Sequence, residues 1–470
     1  MSEVIVVGAG AAGLGSALAL SQQGHRVRVI ERDGAGLPPT PDAAFDQWPR
    51  RGAPQVRHSH AFLARLRNLL RDRAPEVLAE LLAAGATEVR FVDYPPPRVG
   101  KLGPEPDDDD LVALACRRTT FEWVLRSHVL NTAAVELREG VVEGLLASGS
   151  SDAGMPHIAG VRLAGGEELR ADAVVDASGR RSPLPAWLSR LGAAPVEEEE
   201  EDTGIVYSSR FYRLRAGMDV PYKGGLVVAD LGYLKYAVFG GDNGTFSITF
   251  GIYADDKEMR QLLSPGPFTT TANILVGTRP WVEPDRAEPI TGVEVMAKLI
   301  NRRRRFMAQG GPLATGVFPV GDSSICTNPL YGRGCSLALV QAYLLADVLA
   351  QHPEDPTAAA HAFDRATRAE IEPWYRASTD QDRSSGDGAA PDMASLIRDG
   401  LLPAARTDPL VFRAFVRSFN LLLPPGAIMN DPEVVKRVLA AWQERKTRPP
   451  SEALGPDREA LLGLLAGATA

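Results

Sequence analysis

The hydrophobic positions at the start of the chain form two short apolar runs separated by a stretch of small residues. Residues 3–8 form a β-branched run that predicts a strand buried on both faces, and residues 26–31 predict a second strand. Between them, residues 11–23 are rich in alanine, glycine and leucine and predict a helix. A strand, a helix and a strand within about 30 residues predict a parallel βαβ unit with a right-handed crossover.

Further along the chain, the pattern predicts two kinds of sheet. Residues 169–176 predict another buried strand, and residues 316–322 predict a strand that runs into a turn before a helix at 334–350. Alternating apolar positions with hairpin signals at residues 203–262 predict an antiparallel sheet. After residue 356 the chain is predicted to be mostly helical. We find no internal repeat, which argues against solenoids and propellers.

Three charged runs interrupt these patterns. Residues 104–110 include four consecutive aspartates and predict a solvated acidic loop. The acidic run at 197–202 predicts the entry into a different module, and the basic run at 302–305 predicts a solvated helix face.

Composition narrows the function classes. The 470 residues suggest two or three domains, and 44% hydrophobic with 23% charged residues is typical of a globular protein. The net charge of −8 argues against a general nucleic-acid binder, which needs a surplus of lysine and arginine. Three widely spaced cysteines, Cys116, Cys326 and Cys335, predict neither a disulfide framework nor a zinc site and favour the reducing cytoplasm.

The first uncharged segment, residues 4–24, has the hydropathy of a membrane span or signal peptide. No basic residue precedes it, and Gly8, Gly10, Gly13 and Gly15 interrupt it, so we expect neither a signal peptide nor a membrane span.

The same glycines form a dinucleotide fingerprint. Gly8, Gly10 and Gly13 follow a strand and open a helix, which allows a tight turn, close approach of a pyrophosphate, and close helix–strand packing. Glu31 ends the next strand, near the spacing expected for a carboxylate that binds ribose hydroxyls. Glu31 disfavours the 2′-phosphate of NADP and suits FAD or NAD, and no second fingerprint is present. The structural alternative is a glycine-rich turn without a ligand.

Two later segments point to FAD. The stretch Asp176-Ala-Ser-Gly179, and Val320-Gly-Asp322-Ser followed by Asn328-Pro-Leu-Tyr-Gly-Arg-Gly334, resemble segments of FAD-dependent monooxygenases of the p-hydroxybenzoate hydroxylase-like fold. The resemblance implies that Asp322 binds the ribityl chain and that the turn at 329–334 passes over the isoalloxazine. A helix starting at Gly334 would direct N–H groups at N1/C2=O, where reduced flavin carries negative charge.

A narrower resemblance lies at residues 51–60. The pattern Gly-x-Pro-Gln-x-x-His-x-His there is similar to FAD epoxidases of polyether antibiotic biosynthesis and related actinobacterial monooxygenases. It makes His58 and His60 pocket candidates, together with Tyr331 in the flavin turn. Packing roles are the alternative for all three, no catalytic residue is assigned, and no metal is expected.

Arginines supply further candidates. Arg118, with Glu122 one helical turn later and Arg126 beyond it, resembles the family's helix start that contacts FAD, whereas a surface charge pair is the alternative. Arg51 and Arg57 either bind FAD phosphate or are solvated. The predicted cofactor-binding residues are Gly8, Gly10, Ala12, Gly13, Glu31, Arg32, Arg118, Asp176, Gly179, Gly321, Asp322, Pro329, Gly332, Gly334 and Cys335.

The predicted fold is α/β, with a Rossmann-like FAD-binding domain interleaved with an antiparallel β-sheet substrate domain and followed by a helical C-terminal region. We predict FAD-binding parts at 1–92, 113–192 and 296–355, an excursion to the substrate domain at 93–112, the substrate domain at 193–295 and the helical region at 356–470. The substrate domain is expected to cover the flavin with an apolar pocket. Its aromatic residues line that pocket or, as the safer interpretation, form the sheet core: Tyr207, Phe211, Tyr236, Phe239, Phe246 and Phe250.

The resemblance implies an oxidoreductase, a monooxygenase with non-covalently bound FAD. Through a flavin C4a-hydroperoxide it would insert one oxygen atom from O2, by epoxidation or hydroxylation, into an apolar, electron-rich, polyketide-like product of secondary metabolism. Electrons would come from NAD(P)H directly or through a partner flavin reductase. The alternatives are a flavin-dependent reductase or halogenase of the same fold, or a non-enzymatic flavin-binding module. No two tryptophans are two residues apart, so the Trp-x-Trp-x-Ile-Pro motif usual in halogenases is absent.

Overall fold

The computed structural model describes residues 1–34, 36–150, 155–223, 227–384, 393–447 and 454–468. The helices are α1 (Ala11–Gln22), α2 (Pro41–Gln47), α3 (Ala64–Arg73), α4 (Pro75–Ala83), α5 (Arg118–Leu130), α6 (Leu184–Arg190), α7 (Pro265–Ile274), α8 (Gly334–Gln351), α9 (Pro356–Glu370), α10 (Glu372–Ser384), α11 (Met393–Leu396), α12 (Leu402–Ala405), α13 (Pro409–Phe419), α14 (Pro432–Gln443) and α15 (Arg458–Ala468).

The strands are mostly short and belong to separate parallel and antiparallel sheets. They are β1 (Glu3–Val7), β2 (Arg26–Glu31), β3 (Thr87–Arg90), β4 (Val112–Ala115), β5 (Val135–Glu139), β6 (Val142–Ser150), β7 (Pro156–Leu163), β8 (Glu168–Arg170), β9 (Ala173–Asp176), β10 (Glu197–Asp202), β11 (Ile205–Leu214), β12 (Val227–Asp230), β13 (Leu234–Gly240), β14 (Thr245–Tyr253), β15 (Ala287–Pro289), β16 (Glu294–Met296), β17 (Ile300–Arg305), β18 (Met307–Ala308), β19 (Gly311–Pro312), β20 (Val317–Pro319) and β21 (Ile325–Cys326).

The central sheet is parallel, with the strand order β20-β9-β1-β2-β5. Helices α1 and α8 pack on one face of it, in a core that includes Leu14, Leu18 and Leu339. The β6–β8 meander and α6 cover the other face, so the inner strands β1 and β9 are mostly apolar, whereas the edge strand β5 carries charged residues. The carboxyl ends of β1, β2, β9 and β20 meet at one edge of the sheet, where ligands bind in open α/β folds.

A larger antiparallel sheet has the order β12-β13-β14-β11-β15, and β16 also pairs with β11. Its alternation buries Phe246, Ile248 and Phe250 on one face against Phe268 of α7 and Trp281. Serine, threonine and glycine residues of β14 occupy the opposite face. The predicted combination of a Rossmann-like parallel sheet, an antiparallel sheet and C-terminal helices is confirmed.

The two oppositely charged runs pair with each other. Strand β10 lies antiparallel to β17, so that Glu197 is opposite Arg305 and Glu200 is opposite Arg302. The prediction of a solvated helix face at 302–305 is therefore wrong, because Arg302, Arg303 and Arg304 are buried in a strand. Their guanidinium groups are compensated by carboxylates of β10 and, for Arg303, also by Glu372 of α10.

The acidic loop at 104–110 is partly buried. Its 3-10 turn, Pro106–Asp110, places Asp108 at 8% exposure, where its carboxylate binds Arg413 of α13 at 2.9 Å. The prediction of a solvated loop therefore holds for residues 104–107 and for Asp109, which are exposed, and is wrong for Asp108. Leu111, together with the flanking Phe91 and Ala113, packs against Phe412 and Val416 of α13 in a small apolar cluster. The domain boundaries given above stay predictions.

Helix α8 is the described helix that is long and apolar enough to cross a membrane by length and composition. Of its apolar window, 67% is buried inside the fold. It packs directly against α1 on the same face of the parallel sheet, so its hydropathy is accounted for by its central position in the core.

Candidate functional site

The glycine-rich loop after β1 is shaped by close backbone contacts. Gly8 has φ of +100°, and a Cβ there would lie 2.7 Å from the Ala177 carbonyl oxygen after β9. A Cβ on Gly13 would lie 1.8 Å from the Gly8 oxygen, so the loop and the first turn of α1 touch directly. Gly10 differs, since a Cβ there would meet no described atom within 4 Å. Among the described side chains none caps α1, which leaves its N–H groups directed at open space beside Gly10.

Glu31, at the end of β2, holds this loop. One carboxylate oxygen accepts the Ala9 N–H at 2.6 Å and the other accepts the Asp33 N–H at 2.9 Å. The side chain is buried, so it positions the backbone of the loop as well as presenting acceptors at the sheet edge. The neighbouring Arg32 is exposed and lies against Gly52.

A buried charge cluster lies beneath the loop. Arg50 donates to the Ala9 carbonyl at 2.9 Å and to Glu122 at 2.6 Å, and Arg118 pairs with Glu122 from the other side at 2.6 Å. Burial alone would raise the pKa of Glu122, but the two guanidinium groups lower it to about 2. The predicted helix pair Arg118–Glu122 is thus fully buried rather than on the surface.

Arg50 is a residue that the sequence patterns did not single out. Its neighbours Arg51 and Arg57 were the candidates, yet Arg51 is exposed, and Arg57 donates to the Asp46 carbonyl at 3.3 Å. The feature that could have drawn attention to Arg50 is Trp48, two residues earlier. In the fold the Arg50 guanidinium lies 4.8 Å from the centre of that ring, within the range of a cation–π interaction. Arg126 also lies over Trp48, at 5.4 Å, and burial lowers its pKa.

Asp176 ends β9 and is fully enclosed. Its carboxylate accepts the hydroxyls of Ser178 and Ser182, and burial raises its pKa. The following Ala177 carbonyl is the group that contacts Gly8, and Gly179 adopts a φ of +82°. Asp176 therefore shapes the wall of the glycine loop from the adjacent strand.

The end of β20 lies at the same edge of the parallel sheet. Gly321 has φ of +69°, and a Cβ there would lie 2.9 Å from the Ala12 side chain, which brings β20 close to the start of α1. Asp322 follows and is half-buried. Among the described residues its carboxylate has no hydrogen-bond partner, although it lies close enough to Arg118 to raise the pKa of that guanidinium.

The predicted flavin turn leads directly into α8. Pro329–Tyr331 is a 3-10 turn begun by Asn328, whose side-chain oxygen accepts the Leu330 N–H at 3.0 Å. Gly332 is left-handed at φ +63°, and its Cα faces Ala61, with 2.9 Å from a built Cβ to that side chain. No described side chain caps α8 at Gly334.

Two further residues define this end of α8. The Cys335 thiol, in the first turn, accepts a hydrogen bond from Arg118, which joins the flavin turn to the buried charge cluster. Tyr331 donates through its hydroxyl to Asp382 of α10 at 2.8 Å.

The segment carrying His58 and His60 lies between the flavin turn and the antiparallel sheet. His58 Nδ1 is 3.3 Å from the Ser209 hydroxyl of β11, and burial lowers the pKa of His58 to about 4. His60 Nδ1 is 2.9 Å from the His58 carbonyl, and burial together with the charge of Arg118 lowers the pKa of His60 to about 3. Both imidazoles are therefore neutral at pH 7.

Hydroxyl groups connect this segment to the sheet. Ser59 donates to Ser247 at 2.7 Å and accepts from Thr249 at 2.6 Å, and Thr249 lies 2.8 Å from Ser209. With His58 they form one continuous chain of hydrogen bonds between the 58–60 segment and the antiparallel sheet. The sheet face toward His58 is thus lined with hydroxyls at these positions, whereas we expected an apolar lining.

The aromatic residues of the sheet occupy different environments. Those in the sheet core, away from the hydroxyl face, are Tyr236, Phe246 and Phe250. Phe211 packs edge-on against Phe45 of α2 at 5.0 Å, and Phe239 is half-buried. Tyr207 is buried and donates to Asn328 at 2.9 Å, which ties β11 to the flavin turn.

The described residues contain no group of three or more histidine, cysteine, aspartate or glutamate side chains that could hold a metal ion. All three cysteines are described, buried and unpaired. The chemistry available at the sheet edge therefore consists of uncapped helix N-termini, carboxylate acceptors and buried guanidinium groups.

Comparisons with known proteins agree with this geometry. Residues 3–38 match the family described as FAD binding domain. The chain is 28% identical to Protein Rv3254 of Mycobacterium tuberculosis over 492 aligned positions, which cover 95% of this chain and 96% of that protein.

Solved structures share the fold at low sequence identity. PqsL, a probable FAD-dependent monooxygenase from Pseudomonas aeruginosa, superimposes with a TM-score of 0.57 at 17% identity, covering 89% of this chain and 99% of its own. CmlS, a flavin-dependent halogenase, gives a TM-score of 0.57 at 16% identity, covering 95% of this chain and 78% of its own. The chain therefore has the FAD-binding fold shared by flavin-dependent monooxygenases and halogenases.

Proposed function

We propose that this protein is an FAD-dependent monooxygenase that transfers one oxygen atom from O2 to a small, electron-rich organic substrate. The observation that carries the proposal is the meeting of four distant segments at one sheet edge. The glycine loop, Glu31, Asp322 and the turn at 329–334 are spread over more than 300 residues in sequence, yet their elements are adjacent in the fold.

The residues at this edge fit FAD. The open space at Gly10 and the uncapped N-terminus of α1 suit a pyrophosphate, which needs N–H donors and a positive helix end. The unpartnered Asp322 carboxylate suits ribityl hydroxyls, and Glu31 supplies acceptors for a ribose. The uncapped start of α8 suits the pyrimidine edge of the ring.

When bound, FAD supplies the two-electron chemistry and the reaction with O2. The chain's own residues would bind FAD, orient its ring and shield it from water. The uncapped first turn of α8 would offer N–H groups to the negative charge of the reduced ring, and Arg118 holds a positive charge next to Cys335. His58 and His60 stay neutral at pH 7, so the segment over the turn adds no charge to the pocket.

The similarity at residues 51–60 is to FAD epoxidases and related monooxygenases, so the proposed oxygen transfer is epoxidation or hydroxylation. We propose a polyketide-like apolar substrate from secondary metabolism and a cytoplasmic location. The hydroxyl-bearing face at Ser209, Ser247 and Thr249 adds a requirement, since a substrate that reaches it needs a polar group to match.

The electron source is proposed to be NAD(P)H, either bound transiently or used by a separate flavin reductase. Measuring NADPH oxidation by the purified chain alone separates the two routes. Rapid oxidation would support direct reduction, and oxidation that needs an added reductase would support the partner route.

A halogenase is the second candidate, favoured by the fold shared with CmlS and disfavoured by the tryptophan positions. The test reduces the FAD-loaded protein and exposes it to O2 with olefins and phenols, with and without bromide. Products heavier by one oxygen irrespective of bromide support the proposal. Brominated products would identify a halogenase, and hydrogenated products in a parallel sample kept free of O2 would identify a reductase.

A further inference from the structure

The flavin turn is held from outside the FAD-binding parts by one carboxylate of α10. Asp382 Oδ1 accepts the Tyr331 hydroxyl at 2.8 Å and the Asn328 side-chain N–H at 2.9 Å. Its Oδ2 accepts the Asn301 side-chain N–H at 2.6 Å. Asn328 caps the 3-10 turn Pro329–Tyr331 and Tyr331 is its last residue, so a single side chain binds both ends of this 3-10 turn.

The asparagines that bind Asp382 have no freedom to rotate. The Asn301 oxygen accepts the Asn328 backbone N–H at 2.7 Å, and the Asn328 oxygen accepts both the Leu330 N–H and the Tyr207 hydroxyl. Asn301 and Asn328 are 0% exposed, so water does not replace a lost partner without a cost. Each amide orientation is therefore dictated by the next.

The same face of α10 also binds Arg333, two residues after the 3-10 turn. The Arg333 guanidinium lies between Tyr331 and Trp374, at 4.6 and 5.2 Å from the ring centres. It donates to Ser378 and to Gln381, each at 3.1 Å. Trp374, Ser378, Gln381 and Asp382 recur at the spacing of one helix face, so α10 presents a continuous surface to the turn.

We propose that Asp382 is a positioning residue for the flavin, acting through Asn328 and Tyr331 to set the direction of the N–H groups at the start of α8. The inference rests on the proposed binding of FAD at this edge. If those N–H groups stabilise reduced, anionic flavin, then the reduction potential depends on the conformation of the turn and hence on α10.

The test is Asp382→Asn, which has the same shape but lacks one acceptor. All three partners are donors, so one end of the new amide places an N–H against an N–H. A positioning role predicts a dissociation constant for FAD raised by about tenfold or more, and a flavin midpoint potential that becomes more negative. Loss of the negative charge alone predicts the opposite direction of the potential, because it would favour the reduced anion.

Asp380→Asn is the matched control, since Asp380 is exposed on the same helix and pairs with Arg383 at 3.7 Å. It removes the same charge without touching the turn, and is expected to leave the dissociation constant unchanged. Tyr331→Phe is the milder variant, removing one donor, and is expected to shift the potential in the same direction by less.

The inference is overturned if Asp382→Asn binds FAD as tightly as Asp380→Asn or if its potential is equal or more positive. Should Asp382→Asn fail to fold, the sign of the Tyr331→Phe shift decides. A wild-type protein that binds no FAD would instead overturn the proposed function, so the two failures are distinguishable.

Discussion

At the scale of single residues, Gly10 and Gly13 have different structural roles. A methyl group at Gly13 would collide with the Gly8 oxygen, whereas at Gly10 it would enter open space. The fingerprint in the sequence assigned packing to Gly13 and the approach of the pyrophosphate to Gly10, and the space around the two residues agrees with that division.

We therefore expect Gly10→Ala to fold normally and to bind FAD at least about tenfold more weakly, because the methyl group occupies the approach of the pyrophosphate. Gly13→Ala should lower the free energy of unfolding by about 1–3 kcal/mol through overpacking. Urea unfolding and FAD titration measure the two effects, with Gly266→Ala, also in open space but on α7, as control. Normal FAD affinity in Gly10→Ala would contradict the assignment.

His58 links stability to pH. The pKa of His58 is about 4 in the folded protein and near 6.5 in the unfolded chain. Its contribution to the free energy of unfolding is therefore fully present above pH 6.5 and is lost as the pH falls toward 4. His58→Asn should therefore lose less stability than the wild type between pH 7.5 and 5, as urea unfolding at both values would measure. His361→Asn is the control, and equal pH dependence in all three proteins would show that His58 is not buried as a neutral group.

At the scale of elements, the paired glutamates of β10 and arginines of β17, here called the charge ladder, show what the sequence patterns could not predict. Each run has the composition of a solvated surface, and neither contains a signal that the two pair in register about a hundred residues apart. Hydrophobic periodicity predicted β1, α1, β2, β9 and α8 well, because burial of those elements is apolar.

The ladder itself is open to a test. Arg303 is 5% exposed and binds Glu199 and Glu372, whereas Arg305 is half-buried with longer contacts. Arg303→Met should lower the free energy of unfolding by about 1–3 kcal/mol, and Arg305→Met by less than about 1 kcal/mol. Urea unfolding of both variants makes the comparison, and equal losses would show that burial does not govern the ladder.

At the scale of the whole molecule, the candidate site is assembled from pieces whose adjacency is a product of topology. The fingerprint, Asp322 and the flavin turn could be named from the sequence because their backbone requirements leave glycine patterns. Arg50 and Asp382 could not, since each acts through a partner brought close only by the fold. The hydroxyl chain from His58 to Ser247 was equally hidden, because it joins a loop to strands nearly 190 residues away.

The proposal that this edge of the sheet holds FAD and supports oxygen transfer can be tested by a single turnover of the FAD-loaded, reduced protein. The protein is mixed with ¹⁸O₂ and an olefin or phenol substrate, and the product is analysed by mass spectrometry. We expect a product that carries one labelled oxygen atom, with the other atom released as water. A product without the label, or one that carries oxygen from the solvent, would show that the protein does not transfer oxygen from O2.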